Sequence, residues 1–302
     1  MAIKNTFMKK SARKEARTGY LMIAPLMIGL LIFSVRSFFV NFYYSFTNKS
    51  AFGNPKFIGL ANYEKLFHSD KFYAALGNTF LYVLLCVPFV IAISLLLAVL
   101  LNKGINLTGF YRTLIFIPAV TMPAAIGLIW KWILNYEFGL LNAIIRILGG
   151  QPQAWLSDPN YVLLSVSAVL IWADVSLRMI VFLAGLQNIP KSLYEAAEID
   201  GANNRTKFFK ITLPMLSPTI FFVTLMEIIG VFQIFDFIYL MIPMNSSGMP
   251  AARSLVSYFY EEAFVRNNRG YGSAITVILF IIIFIITMIQ MKLQKKWVFT
   301  ES

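Results

Sequence analysis

The chain has 302 residues, 58% of them hydrophobic and 13% charged, with a formal net charge of +12. A soluble domain of this length cannot hide so much apolar surface, so composition excludes a water-soluble globule and indicates a polytopic membrane protein. The basic excess is no nucleic-acid footprint, because the lysines flank apolar spans and no basic run is interleaved with exposed aromatics in a globular region.

Residues 1–19 form a basic tail carrying Lys4, Lys9, Lys10, Arg13, Lys14 and Arg17. A secretory signal has the same order, basic then apolar. The run from Tyr20 to Tyr44 is too long for one and lacks a clear small-residue cleavage site, so it is expected to stay as the first span. At about 20 apolar residues per crossing, six spans are predicted, at roughly 20–45, 73–101, 110–133, 161–186, 213–242 and 271–291. Pro88 falls in the second span, and Pro118 and Pro123 in the third. Proline is tolerated in membrane helices where neighbours or a cavity satisfy the freed carbonyls. The single cysteine, Cys86, lies inside the second span, which rules out an intrachain disulfide. The single histidine, His68, sits in a polar loop and builds no metal site by itself.

Residues 46–72, 134–160 and 243–270 read as outer loops. Leu140 to Leu148 is amphipathic and is followed by Gly149, Gly150 and Pro152, which predicts a short helix along the outer surface. A mixed helix is predicted around Tyr258 to Phe264. Lys and Arg are commoner on the N-terminal tail and the loops sharing its side, which places both termini and residues 187–212 in the cytoplasm.

The fourth and fifth spans carry charge at membrane depth, where ionisable groups are expensive and mark functional sites. Asp174 lies thirteen residues before Gln187, and Glu227 thirteen after Pro214. Both should sit roughly 20 Å from the inner ends of their helices, with Asp236 about 33 Å along and at the outer boundary. Arg178 follows Asp174 by one turn, which permits an i,i+4 pair. Two readings stay open. Either the pair only neutralises itself, or these groups face a polar cavity in which Trp172 stacks on a sugar ring.

Between those spans, EAAEIDGANNRTKFFKITLP runs from Glu195 to Pro214. Ser192 and Glu195 fit a capping box at a helix start, and Gly201 fits a left-handed stop. Asn203 or Asn204 is placed to cap a second helix, until Pro214 bends the chain into the bilayer. Small Ala196 and Ala197 suit docking into a partner's groove.

Glu195, Ala196, Ala197, Gly201, Ile211, Leu213 and Pro214 fall at the spacing of the EAA loop, and the segment resembles that loop in permease subunits of bacterial binding-protein-dependent ABC importers. FIGLANYEKLF, GFYRTLIFIPAV, IWKWILN, FQIFDFIY and GYGSAITVILF extend the resemblance to the sugar-permease branch from about Tyr20 onward. One departure is MIPMNSSGMP from Met241, where the branch has a Thr and a Gly-Gly-Pro. The resemblance implies an all-α fold with six transmembrane helices of the type I importer permease kind, occupying 20–302 after the 1–19 tail. It also implies a bacterial inner-membrane location, a second permease subunit, two ATP-binding cassette ATPases and an extracytoplasmic solute-binding protein. No cofactor is expected in this chain, since ATP and Mg would be held by the ATPases. Coupling would fall to the loop residues just named together with Asp200. Substrate contacts would fall to Ala173, Asp174 and Leu177 in the fourth span and to Glu227, Gly230, Val231 and Ile234 in the fifth, beside Trp172 and Arg178. Gln233 and Asp236 would be structural. The substrate class implied is a neutral oligosaccharide or polyol, with an acidic sugar as the alternative if Arg178 is not neutralised.

Other chemistries lack motifs. No GxxxxGK(S/T) loop is present, so ATP is not bound by that mechanism. One loop histidine supplies no Ser/His/Asp set, and nothing resembles HExxH or a cysteine cluster. An intramembrane protease would need a carboxylate pair among Asp174, Glu227 and Asp236, and no motif supports it. A secondary carrier would use Asp174 and Glu227 for a coupling ion, but no inverted repeat is visible.

Overall fold

The computed structural model describes residues 2–102 and 108–298; the expected cytoplasmic C-terminal end, 299–302, lies outside them. All regular structure among these residues is helical, apart from one antiparallel bridge between Thr47 and Phe57.

Helix α1 (Ala2–Gly29) passes through a π-helical stretch, Leu30–Val35, into α2 (Arg36–Tyr44). Residues 2–19 of the tail are thus helically continuous with the first span. Along the most apolar stretch of Glu15–Tyr44 no residue is buried. Only α2 lies against the bundle, through an Asn41 Nδ2 to Thr276 Oγ1 hydrogen bond of 2.8 Å and a Phe38–Phe280 ring contact. The loop that follows is tied down by buried Asn62 of α3 (Ala61–Phe67), whose amide donates to the carbonyls of Ser45 and Thr47.

Helix α4 (Asp70–Asn102) is 33 residues long, about 50 Å at 1.5 Å per residue, enough to cross with tilt and emerge at both ends. The third span is not straight. Helix α5 (Thr108–Val120) and helix α6 (Pro123–Ile133) meet at 100°. The cause is local: a residue before proline is driven from the helical region, and Met122 accordingly has ψ 134°. Helix α7 (Leu140–Ile147) is the expected surface helix, ended by Gly149 at φ +81°. Inside its loop Asn142 is fully buried and fully used. Its amide nitrogen donates to the carbonyls of Tyr136 and Gln153, and its oxygen accepts from the Gln153 amide and the Trp155 indole.

Helix α8 (Val162–Gln187) packs along α4 and leads into the polar segment, with α9 (Lys191–Ile199), α10 (Asn204–Lys207), a π turn over Phe208–Thr212 and α11 (Leu213–Met215). Helix α12 (Ser217–Phe232) follows a 63° bend. Pro218 has no N–H for the Pro214 carbonyl, and the Ser217 hydroxyl takes that acceptor instead at 2.6 Å. The predicted 213–242 span is therefore not one helix. It bends at Leu216, stops at Phe232, and resumes as α13 (Asp236–Met241) after Phe235 adopts φ −143°. Among the described residues four helices are long and apolar enough to cross a membrane, or up to six spans if each bent pair is one.

Helices α14 (Met249–Ala252), α15 (Leu255–Tyr260), a π turn at Glu261–Val265 and α16 (Arg269–Trp297) complete the chain. Fully buried Tyr82 of α4 donates to the Ala252 carbonyl at 3.0 Å, and Thr79 accepts the Leu255 amide, so α4 is the post around which the end away from the polar segment is assembled. At the other end Phe182, Leu186, Leu216, Val223 and Leu101 close a second core. Contact there is tight: a Cβ on Gly185 of α8 would stand 2.6 Å from Thr219 Oγ1 of α12.

Candidate functional site

Two polar sites interrupt this apolar bundle, and the same two helices, α8 and α12, connect them.

The first is inside the bundle. Arg178 Nε donates to Glu227 Oε2 at 2.7 Å, joining α8 to α12. This replaces the expected Asp174–Arg178 pair. Glu227 is 0% exposed, while its partner's side chain keeps 17%. A buried carboxylate that cannot reach water needs the cation more than Asp174 does, and the close packing of α8 on α12 delivers it. Glu227 Oε1 has no hydrogen-bond partner of its own. Trp172 is 44% exposed and meets Trp130 of α6 edge-to-face at 5.6 Å. Asp174 and Ala173 are half-buried, Leu177 is exposed, and Gly230 is exposed with open space where a Cβ would be. Asp174, Arg178 and Glu227 form a polar patch between α8 and α12. Val231 and Ile234 belong elsewhere: both are buried in the core with Tyr82 and Phe237, so their side chains serve packing. Gln233 and Asp236, expected to be structural, are exposed on the break between α12 and α13. No hydrophobic-pattern signal announces that break; only the polar residues at the end of an apolar run do.

The second site is the segment between the helices. No capping box forms at Ser192 and Glu195. Helix α9 starts two residues earlier, with Pro190 as its N-cap and no side-chain cap, so Ser192 already lies in the first turn. Its end is as expected. Gly201 has φ +72°, the Ala202 amide donates to the Ala197 carbonyl at 2.8 Å, and the Gly201 amide to Glu198 at 3.0 Å. These are the two bonds of a Schellman stop. Asn203, not Asn204, caps α10 by accepting from the Thr206 amide at 2.9 Å. The hook is braced from inside by Lys207–Glu198 at 2.7 Å and by Tyr194 Oη to Thr212 Oγ1 at 2.9 Å. Braced this way, it turns Glu195, Ala196, Asp200 and Gly201 outward, with Ala197 half-buried. Ile211 and Leu213 are half-buried in the return to the bilayer, and Pro214 is exposed. Ile199, unremarked in the motif, is 88% exposed. Its signal was a β-branched apolar residue in an otherwise polar stretch.

A bundle with a polar patch at depth and a rigid hook outside it defines a membrane-transport component. Residues 58–299 match the family of binding-protein-dependent transport system inner membrane components, and the chain belongs to that family. It is 37% identical to the probable ABC transporter permease protein YesP of Bacillus subtilis, over 97% of this chain and 95% of that protein. It is also 37% identical to the arabinooligosaccharides transport system permease protein AraP of Bacillus subtilis, over 91% and 88%. The fold is shared with a membrane chain in the crystal structure of a bacterial alginate ABC transporter bound to a periplasmic protein carrying an alginate pentasaccharide. The TM-score is 0.87 at 21% identity, over 97% of this chain and 99% of that one.

Proposed function

We propose that the chain is one of two membrane subunits of an ATP-driven importer and forms part of the pathway for a carbohydrate handed over by an extracytoplasmic binding protein. The carrying observation is the continuity of α8, hook and α12: the elements that would grip an ATPase also hold Arg178 and Glu227. Asp174 lies thirteen residues above the end of α8, about 20 Å, and Glu227 ten residues above the start of α12, about 15 Å. A displacement of the hook is thereby levered onto the polar patch. The hook faces the cytoplasm, both termini lie on that side, and two ATPase subunits bind ATP and Mg there. This chain hydrolyses nothing. The partner permease closes the open side of the patch, and lipid surrounds the remaining apolar surface.

A neutral oligosaccharide is the substrate class that the charges favour. Arg178 is matched by Glu227, so no free guanidinium waits for a substrate carboxylate, whereas Asp174, Gln233 and Trp172 offer hydrogen bonds and a stacking face. The arabinooligosaccharide relative supports the same class. The test is purification from the native membrane followed by reconstitution. An ATPase and a second permease should co-purify, and binding-protein-dependent uptake should be higher for a neutral pentose oligomer than for a uronate oligomer. A chain isolated without any ATPase would overturn the reading.

A further inference from the structure

A cavity of about 210 Å³ lies at the far end of the bundle from the hook, between the end of α6, residues 154–157 and the segment after α13. Its polar lining is Lys131, Asn135, Tyr136, Trp155, Ser157 and Ser246. The walls are fixed by one amide. Buried Asn142 donates to the Tyr136 and Gln153 carbonyls and accepts from the Trp155 indole. Ser247 ties the third wall on by donating to the Ser157 carbonyl at 2.7 Å.

The lining is rich in donors. Asn135 spends only its oxygen within the chain, on the amides of Glu137 and Phe138 at 2.9 and 3.2 Å, which leaves its NH2 group for a ligand. Lys131 appears in none of the ion pairs among the described residues. The neighbouring acid Asp158 is turned to Asn160. Arg146 adds positive charge next to lining residue Tyr136, donating to the carbonyls of Tyr136 and Glu137. A lysine, an amide NH2 and hydroxyls lining one small space suit a carboxylate. Size then chooses its source. Sites for small molecules run about 300–1,000 Å³, so this one is small for an oligosaccharide and suits a single side chain.

We propose that this cavity is a docking socket for an acidic side chain of the extracytoplasmic solute-binding protein. The proposal rests on the importer reading above, which puts this face outside. Docked, the carboxylate accepts from Lys131 and Asn135 with Trp155 and Tyr136 around it, and the pre-set walls cost little ordering. The experiment uses the complete importer in proteoliposomes, titrated with its binding protein while ATP hydrolysis is followed. Lys131→Glu should raise the half-saturating binding-protein concentration about tenfold or more. Lys131→Arg should stay within about threefold, and Ser157→Trp, which fills the cavity, should behave like Lys131→Glu. An Asp or Glu to Lys reversal on the binding protein's docking face should recover the Lys131→Glu importer. Unchanged titrations in both Lys131→Glu and Ser157→Trp would overturn the proposal. So would a change in sugar dependence at saturating binding protein with the titration itself unmoved, because the cavity would then belong to the sugar. A parent importer indifferent to binding protein would fail differently, by sinking the importer reading itself.

Discussion

Arg178 and Glu227 are 49 positions apart in sequence and 2.7 Å apart in space, and they bridge the two helices that enclose the hook. Removing one partner of such a pair leaves the other charge stranded, at a cost of about 3–5 kcal/mol. The burdens are unequal, because Glu227 is fully buried and Arg178 is not. Arg178→Gln should therefore lower the thermal midpoint of the solubilised protein more than Glu227→Gln does. Arg178→Met combined with Glu227→Gln should regain the midpoint without regaining uptake. Equal midpoints for the two single variants would refute the asymmetry.

Asp174 lies beside that bridge, within hydrogen-bonding reach of Glu227, so Asp174→Asn, which keeps a donor there, should lower the midpoint less than Arg178→Gln does. Its effect should appear in transport, as a several-fold loss of neutral-sugar uptake at equal protein level in the membrane. Unchanged uptake would remove Asp174 from the pathway.

Gly201 holds φ +72° with nothing within 4 Å of a would-be Cβ, so a substitution there meets backbone strain rather than a clash. Asn tolerates the left-handed region and a β-branched residue does not. Gly201→Asn should keep ATPase co-purification close to the parent, while Gly201→Val loses most of it, with both proteins still inserted. The ranking is the test, and a reversed order would contradict the Schellman stop as the hook's shaping element.

Ile199 is an apolar knob on the outward face of that hook. Ile199→Asp should abolish ATPase co-purification without changing the thermal midpoint, since the side chain packs on nothing within the chain. An importer that assembles normally with Asp at 199 would place the ATPase contact elsewhere.

Orientation is tested with single cysteines at Ser69, Asn204 and Asn267 in a Cys86→Ser background. Cys86 itself is buried against the Ser167 carbonyl. An impermeant thiol reagent added outside intact cells should label 69 and 267 and spare 204. Labelling of 204 alone would invert the topology.

Hydropathy located the apolar stretches that fold into four long helices and two bent pairs, because a run of apolar residues reports avoidance of water whatever its partners are. It could not report the two bends or the stop at Phe232, which follow from Met122 before Pro123, from Pro218, and from the backbone at Phe235. The hook was legible for a different reason: Gly201 and Asn203 act on their own neighbours, and local chemistry is written locally. Sequence spacing offered Arg178 only the carboxylate on its own helix, Asp174, because it cannot see Glu227 across the packing of α8 on α12. The correct partner is chosen by how α8 meets α12, through contacts such as Gly185 with Thr219. Val231 and Ile234 were misread for the same cause, since a residue's facing is set by its neighbours.

The gap between α12 and α13 has a further effect. Sixteen residues of α12 reach about 24 Å, shorter than a hydrocarbon core of about 30 Å, so a span entering the bilayer at Ser217 would have its non-helical backbone at Gln233 to Phe235 before the far boundary. Lipid solvates bare peptide groups poorly, and irregular backbone persists there only against protein or beside a water-filled space. With Gln233 and Asp236 both exposed on this chain, the bare peptide groups of that gap need a neighbouring protein surface or water to cover them, which a lipid-facing helix would not need.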